Sequence, residues 1–149
     1  MCIRDSNAHV QSTGEYHYHG ISPLLVDAYE TSEDLVLVGF AADGHLIWYS
    51  KSGAYESGYS LESSTRSGTD CVVSGPGGST IDLAGTTPDG TYREDWVWSA
   101  GNGDLDECNG VVIDGDYSYL VTDEYPFIGR CLRGDVSGVT PNVLDRRRN

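Results

Sequence analysis

The sequence predicts a mainly β fold: one compact β-rich domain, sandwich or barrel-like, with long loops and little helix. Three observations carry that expectation. The stretch Gly14-Glu15-Tyr16-His17-Tyr18-His19-Gly20 alternates ring types strictly between glycines, which is the period of a strand. The apolar runs Leu35-Val36-Leu37-Val38-Gly39-Phe40 and Leu46-Ile47-Trp48-Tyr49 flank Asp43-Gly44, a hairpin turn signal. Nineteen glycines and ten tyrosines in 149 residues suit many turns between short strands.

Taken in order, residues 7–20 read as a loop followed by the Tyr/His strand. Ile21 to Asp27 is a short apolar stretch around Pro23, and Leu24 to Thr31 is the best candidate for a short helix. Leu35 to Phe40 reads as a buried strand and Val36 to Tyr49 as a hairpin. Residues 50–79 are rich in Ser, Gly and Thr and show no sustained period, with one short strand expected near Cys71-Val72-Val73. Tyr92 to Trp98 carries both periods and reads as a strand. Gly101 to Gly110 is an acidic loop, and Val111-Val112-Ile113, Tyr117 to Thr122 and Phe127 to Leu132 are the last expected strands.

Acids outnumber bases 23 to 9, for a net charge of −14 at pH 7, and Lys51 is the sole lysine. Binding to nucleic acid or an anionic membrane needs basic patches, so neither is expected as a partner. Acidity of this kind serves solubility or holds a divalent cation. No apolar run approaches the roughly 20 residues of a membrane helix.

The chain also repeats itself. Asn109-Gly110-Val111, then Gly115-Asp116-Tyr117-Ser118-Tyr119-Leu120, echoes Asn7-Ala8-His9, then Gly14-Glu15-Tyr16-His17-Tyr18-His19, with one residue of slack between the two parts. Both copies keep the tyrosines. His9, His17 and His19 face Val111, Ser118 and Leu120. Residues shared by the copies are expected to be structural, and residues confined to one copy are the better functional candidates.

On that reasoning His9, His17 and His19 are candidate ligands for a transition metal, Zn or Cu, because imidazole suits both. Asp43, His45, Asp104, Asp106 and Glu107 are additional candidates for the coordination shell. Ca in the Asp104 to Glu107 loop is a weaker reading, since the loop lacks the EF-hand pattern. The plainer alternatives are histidines hydrogen-bonded in a half-buried strand and acids that cap turn amides. Trp48, Trp96 and Trp98 form either a stacking platform for carbohydrate or ordinary core packing, and packing is preferred. No activated nucleophile is recognisable, which favours a binding module over an enzyme. A metal-dependent hydrolase or oxidase using the same histidines is one alternative, and a structural or adhesion module without metal is another.

The Tyr-His-Tyr-His stretch resembles the signature of the YHYH domain family. So do Val38-Gly39-Phe40-Ala41-Ala42-Asp43-Gly44-His45, Asp89-Gly90-Thr91-Tyr92-Arg93-Glu94-Asp95, Gly103-Asp104-Leu105-Asp106-Glu107-Cys108-Asn109-Gly110 and Tyr125-Pro126-Phe127-Ile128-Gly129-Arg130-Cys131. The resemblance implies a bacterial, largely extracytoplasmic protein of no established activity. Residues 7–134 read as the domain, 135–149 as a tail, and Met1-Cys2-Ile3-Arg4-Asp5-Ser6 as a foreign leader resembling translated adapter sequence. An oxidising compartment allows a Cys108–Cys131 disulfide, which leaves Cys71 odd. Ser6 stands where the second copy has Cys108, so the native residue there is expected to be a cysteine bonded to Cys71.

Overall fold

The computed structural model describes residues 8–10, 16–18, 20–29, 31–67, 72–74 and 80–137, with residues 8–10, 16–18, 72–74, 80 and 81 described by their backbone alone. The fold is mainly β. Strands β1 (Ala8–Val10) and β2 (Tyr16–Tyr18) form an antiparallel ribbon, followed by the short helix α1 (Pro23–Ala28). Pro23 opens α1, where a missing N–H removes no helical hydrogen bond. None of the helix's residues is buried, and Leu24 is 81% exposed.

The principal sheet has four strands in the order β3 (Leu35–Phe40), β4 (Leu46–Ser50), β10 (Asp116–Val121), β9 (Gly110–Ile113). The sheet is open, so the barrel option is not realised among the described residues. β3 and β4 are the expected hairpin, with Gly44 at φ +88° in its turn. β4 and β10 run parallel, and β10 and β9 antiparallel. Three two-stranded ribbons complete the set: β1–β2, β5 (Tyr59–Leu61) with β8 (Trp96–Trp98), and β6 (Val72–Ser74) with β7 (Thr80–Asp82).

Burial follows position in the sheet. β10 is an inner strand, and its residues Ser118, Tyr119, Leu120 and Val121 are all buried in succession. A strand covered on both faces needs no alternation, so the polar Ser118 takes its place in the core. β3 is an edge strand, which corrects the reading of a buried run: Val36 is buried, yet Phe40 is 71% exposed, and a bulge interrupts the ladder between Leu37 and Gly39. Ile21, Leu105 and Cys108 add to the core.

Two further expectations are corrected. Phe127 to Leu132 is not a strand. Phe127 has φ +63°, its N–H donates to the Glu124 carbonyl, and the Ile128 N–H donates to the Pro126 carbonyl, so the chain is folded into turns. Tyr92 to Trp98 is a strand only from Trp96 onward; Arg93–Asp95 is a 3-10 turn. The two periods seen in that stretch therefore belong to two successive elements. Tyr59–Leu61 is a strand the Ser/Gly-rich composition concealed.

Candidate functional site

The internal repeat is a repeat of structure. In β9–β10 the register pairs Gly110 with Tyr119, Val111 with Ser118 and Val112 with Tyr117. In β1–β2 it pairs Ala8 with Tyr18, His9 with His17 and Val10 with Tyr16. Every pair aligns with its counterpart, and the slack of one residue falls in the connection between the strands. The second connection is tight, with Asp114 at φ +53° and Gly115 at φ +96°, the left-handed pair that a two-residue hairpin turn requires. His9 and His17 thus occupy directly opposed positions. Opposed positions of an antiparallel pair share a face, with Cβ atoms about 4.5–5.5 Å apart. The side chains of both residues, and all of His19, lie outside what the structure describes.

The other candidates divide. Asp43, His45, Asp106 and Glu107 gather around the face of β10 that bears Tyr117 and Tyr119. Tyr119 Oη donates to Asp43 Oδ2 at 2.6 Å, and the Gly134 and His45 amides donate to the same carboxylate at 2.9 and 3.4 Å. Burial alone would raise the Asp43 pKa, but these donors outweigh it and hold the carboxyl below its ordinary value. Tyr119 moves the other way: burial and the Asp43 charge push its hydroxyl up to about 12.

Asp106 is engaged on both oxygens. Oδ1 accepts from the Cys108 and Gly110 amides at 2.9 and 3.0 Å, while Oδ2 accepts from Tyr117 Oη at 2.9 Å and Arg133 Nε at 3.2 Å. Arg133 also reaches Glu107 at 3.5 Å, a half-exposed pair. The His45 ring meets the edges of Tyr117 and Tyr119 at centroid distances of 5.1 and 5.9 Å. Asp43 and Asp106 therefore act as clasps that fix β10 to the loops on either side. Asp104 stands apart and accepts from the Glu56 amide at 3.0 Å.

Among the described residues no three His, Cys, Asp or Glu side chains are placed to hold a metal ion. Asp43 and Asp106 already have internal donors on both oxygens. The metal expectation rests on His9, His17 and His19 alone.

Cys108 and Cys131 form a disulfide, with Cα atoms 4.8 Å apart, that closes the Cys131 segment against the start of the second hairpin. The expected partnership of Cys71 with a cysteine at position 6 lies outside the described residues. The tryptophans do not assemble a platform. Trp96 stacks on Tyr125 at 4.4 Å and donates to the Gly90 carbonyl, Trp98 donates to the Leu105 carbonyl, and Trp48 sits in the four-stranded sheet.

One polar centre escaped the sequence reading. Arg66 clasps Asp95 through two hydrogen bonds of 2.7 Å, and the Gly90 and Tyr92 amides donate to the same carboxylate. Asp95 is 1% exposed. Its carboxyl is held down at about 2, chiefly by Arg66, against the opposing effect of burial. Removing Arg66 would leave a buried charge unpaired, so the pair is a structural clasp of the loop over residues 89–95. A lone arginine in an otherwise acidic, Ser/Gly-rich stretch was the signal available.

Compared with known families, residues 1–134 match the family described as YHYH protein. The chain belongs to the YHYH family. No curated protein and no solved structure matches it. Within this YHYH domain the family-like segments meet around β10: Asp43 and His45 from one, Asp106 and Cys108 from another, and Cys131 from a third. No helix among the described residues is long and apolar enough to cross a membrane.

Proposed function

We propose that this YHYH domain is an extracytoplasmic binding module that holds a transition metal, Zn or Cu, through His9 and His17, with His19 as third ligand, and that it turns over no substrate. One observation supports the reading. The two hairpins share a register, and at one opposed pair the first carries two imidazoles where the second carries Val111 and Ser118. Duplicated scaffolding explains the tyrosines in both copies; it does not explain two imidazoles at facing positions in one. The Cys108–Cys131 disulfide supports a location outside the cytoplasm, since such bonds persist in oxidising compartments. Neutral imidazole is the ligand, so affinity is expected to fall as pH drops through the ordinary histidine range near ~6.5.

Isothermal titration of the full chain with zinc, copper and calcium salts tests this. Saturable binding of zinc or copper at one equivalent is expected, weakened at least about tenfold in His17→Ser, with no comparable heat from calcium. Absence of saturable binding, or equal affinity in wild type and His17→Ser, overturns the proposal.

A further inference from the structure

A cavity of about 450 Å³, within the range of small-molecule sites, opens where the end of β4 and the end of β10 meet the loop over residues 53–59. Tyr49, Tyr55 and Tyr59 contribute its aromatic walls, and Glu56, Asp123 and Glu124 its acids. No lysine, arginine or histidine is among its described lining residues. An anionic occupant would meet no base in the described lining, the nearby Arg130 being set over the Tyr125 ring, and would add to the unfavourable potential of a chain with net charge −14.

The state of the hydrogen-bonding groups narrows the occupant further. Most donors around the cavity already serve the chain. Tyr49 Oη donates to Asp123, Tyr59 Oη to the Glu107 carbonyl, and Ser50 Oγ to Asp34. Thr122 Oγ1 donates to the Glu124 carbonyl and Asn102 Nδ2 to the Gly58 carbonyl. The acceptors are left over: the carboxylates of Glu56 and Glu124 have no hydrogen bond or ion pair with any described residue.

Behind the wall lies Asn109, 0% exposed, whose Nδ2 donates to Leu120 and Thr122, two residues of the lining. Its Oδ1 is buried without a partner among the described residues. The unpaired Glu56 and Glu124 carboxylates and the tyrosine faces, with no base in the described lining, suit a group that brings N–H donors and positive charge. Such a group gains twice, through charge-assisted hydrogen bonds to carboxylates and through cation–π contact with tyrosine.

We infer that this cavity binds an organic cation bearing N–H donors, an alkylammonium or guanidinium group, between Tyr55, Tyr59, Glu56 and Glu124. No histidine is among the described lining residues, and the occupant comes either as a free polyamine or as a basic side chain of another protein.

Calorimetric titration of the full chain in the presence of EDTA, which removes any metal bound to the histidines, tests the inference. The probes are cadaverine, the neutral diol of the same chain length, and N-acetyl-lysine methylamide. Saturable binding of cadaverine or the lysine amide is expected, with none for the diol. Tighter binding of cadaverine assigns the site to free polyamines, and tighter binding of the lysine amide assigns it to protein side chains. Tyr55→Leu and Glu124→Gln, each checked for retained fold by circular dichroism, are expected to weaken binding about tenfold, while His17→Ser leaves it unchanged. Equal binding of the diol, no effect of Tyr55→Leu and Glu124→Gln together, or no saturable heat with either amine overturns the inference.

Discussion

The ribbon β1–β2 and the hairpin β9–β10 share a register and differ in what lies beside them. β10 pairs with β9 on one edge and with β4 on the other, and four of its residues in succession are buried. β2 pairs with β1 and with no other described strand. The opposed pair in β9–β10 is Val111 with a buried Ser118, and the same register positions in β1–β2 hold His9 and His17. An imidazole buried inside a sheet must find partners or lose its charge, so the buried position that Ser118 holds in β10 disfavours a histidine. The same hairpin register thus accommodates a Val–Ser pair, its serine buried, in one copy and a His–His pair in the other.

The largest test of that contrast is the tyrosine common to both copies. Tyr119 is 3% exposed, so Tyr119→Ala is expected to lower stability by about 3–5 kcal/mol in urea denaturation. Tyr18→Ala is expected to fall in the same range. A loss below about 1 kcal/mol at position 18 would show that the first copy contributes no comparable core.

The disulfide comes next. It joins residues 23 apart and anchors only the second hairpin, so Cys131→Ser is expected to destabilise by about 3 kcal/mol. Hydrogen exchange should then rise most in β9 and β10 and least in β1 and β2; the reverse pattern would place the bond's influence in the wrong copy.

Gly110 sharpens the contrast from another side. Tyr117 lies against it on the way to Asp106, and a Cβ at Gly110 would collide with the tyrosine ring. Gly110→Ala is expected to cost about 1–3 kcal/mol. The first copy already has Ala8 at the equivalent position, so Ala8→Gly should bring no matching gain. Thermal melts of the two variants read this directly.

Alkaline pH tests the second copy as well. Tyr119 has its pKa raised from 10 to about 12, and Tyr117 is raised too, by burial and then by Asp106. A raised pKa gives stability that is full below the unfolded value and lost as pH climbs through the folded one. Stability is expected to decline between pH 10 and about 12, and less so in Tyr119→Phe if that variant folds. An unchanged profile in Tyr119→Phe would remove the tyrosine from the account.

The smallest effect concerns the pair that differs. Replacing His9 and His17 by the Val and Ser of the second copy is expected to change metal-free stability by less than about 0.5 kcal/mol. The same double variant should lose any rise in melting temperature that zinc or copper gives the wild type, because a ligand stabilises only the state that binds it. A large metal-free loss would show the histidines to be structural.

The mainly β class, the Asp43-Gly44 hairpin and the repeat with its phase were legible in the residues alone, and Cys108–Cys131 was legible as an allowed pairing that the fold realises. Each of these depends on side-chain period or turn residues acting over a few positions, or on cysteine chemistry that is visible as letters. Long-range packing set β10 parallel to β4, left β3 as an edge with Phe40 in solvent, and folded Phe127 to Leu132 into turns instead of a strand. It also decided which acids were free. Asp43 meets Tyr119 across 76 residues of chain and Gly134 across 91, and Asp95 meets Arg66 across 29. Contacts of that range leave no periodic trace, so an acid in a glycine-framed loop reads alike whether it waits for a ligand or already holds a tyrosine. The cavity beside Tyr55 belongs to the same class: its walls come from segments around residues 50, 57, 102 and 122, and nothing short of the folded chain brings them together.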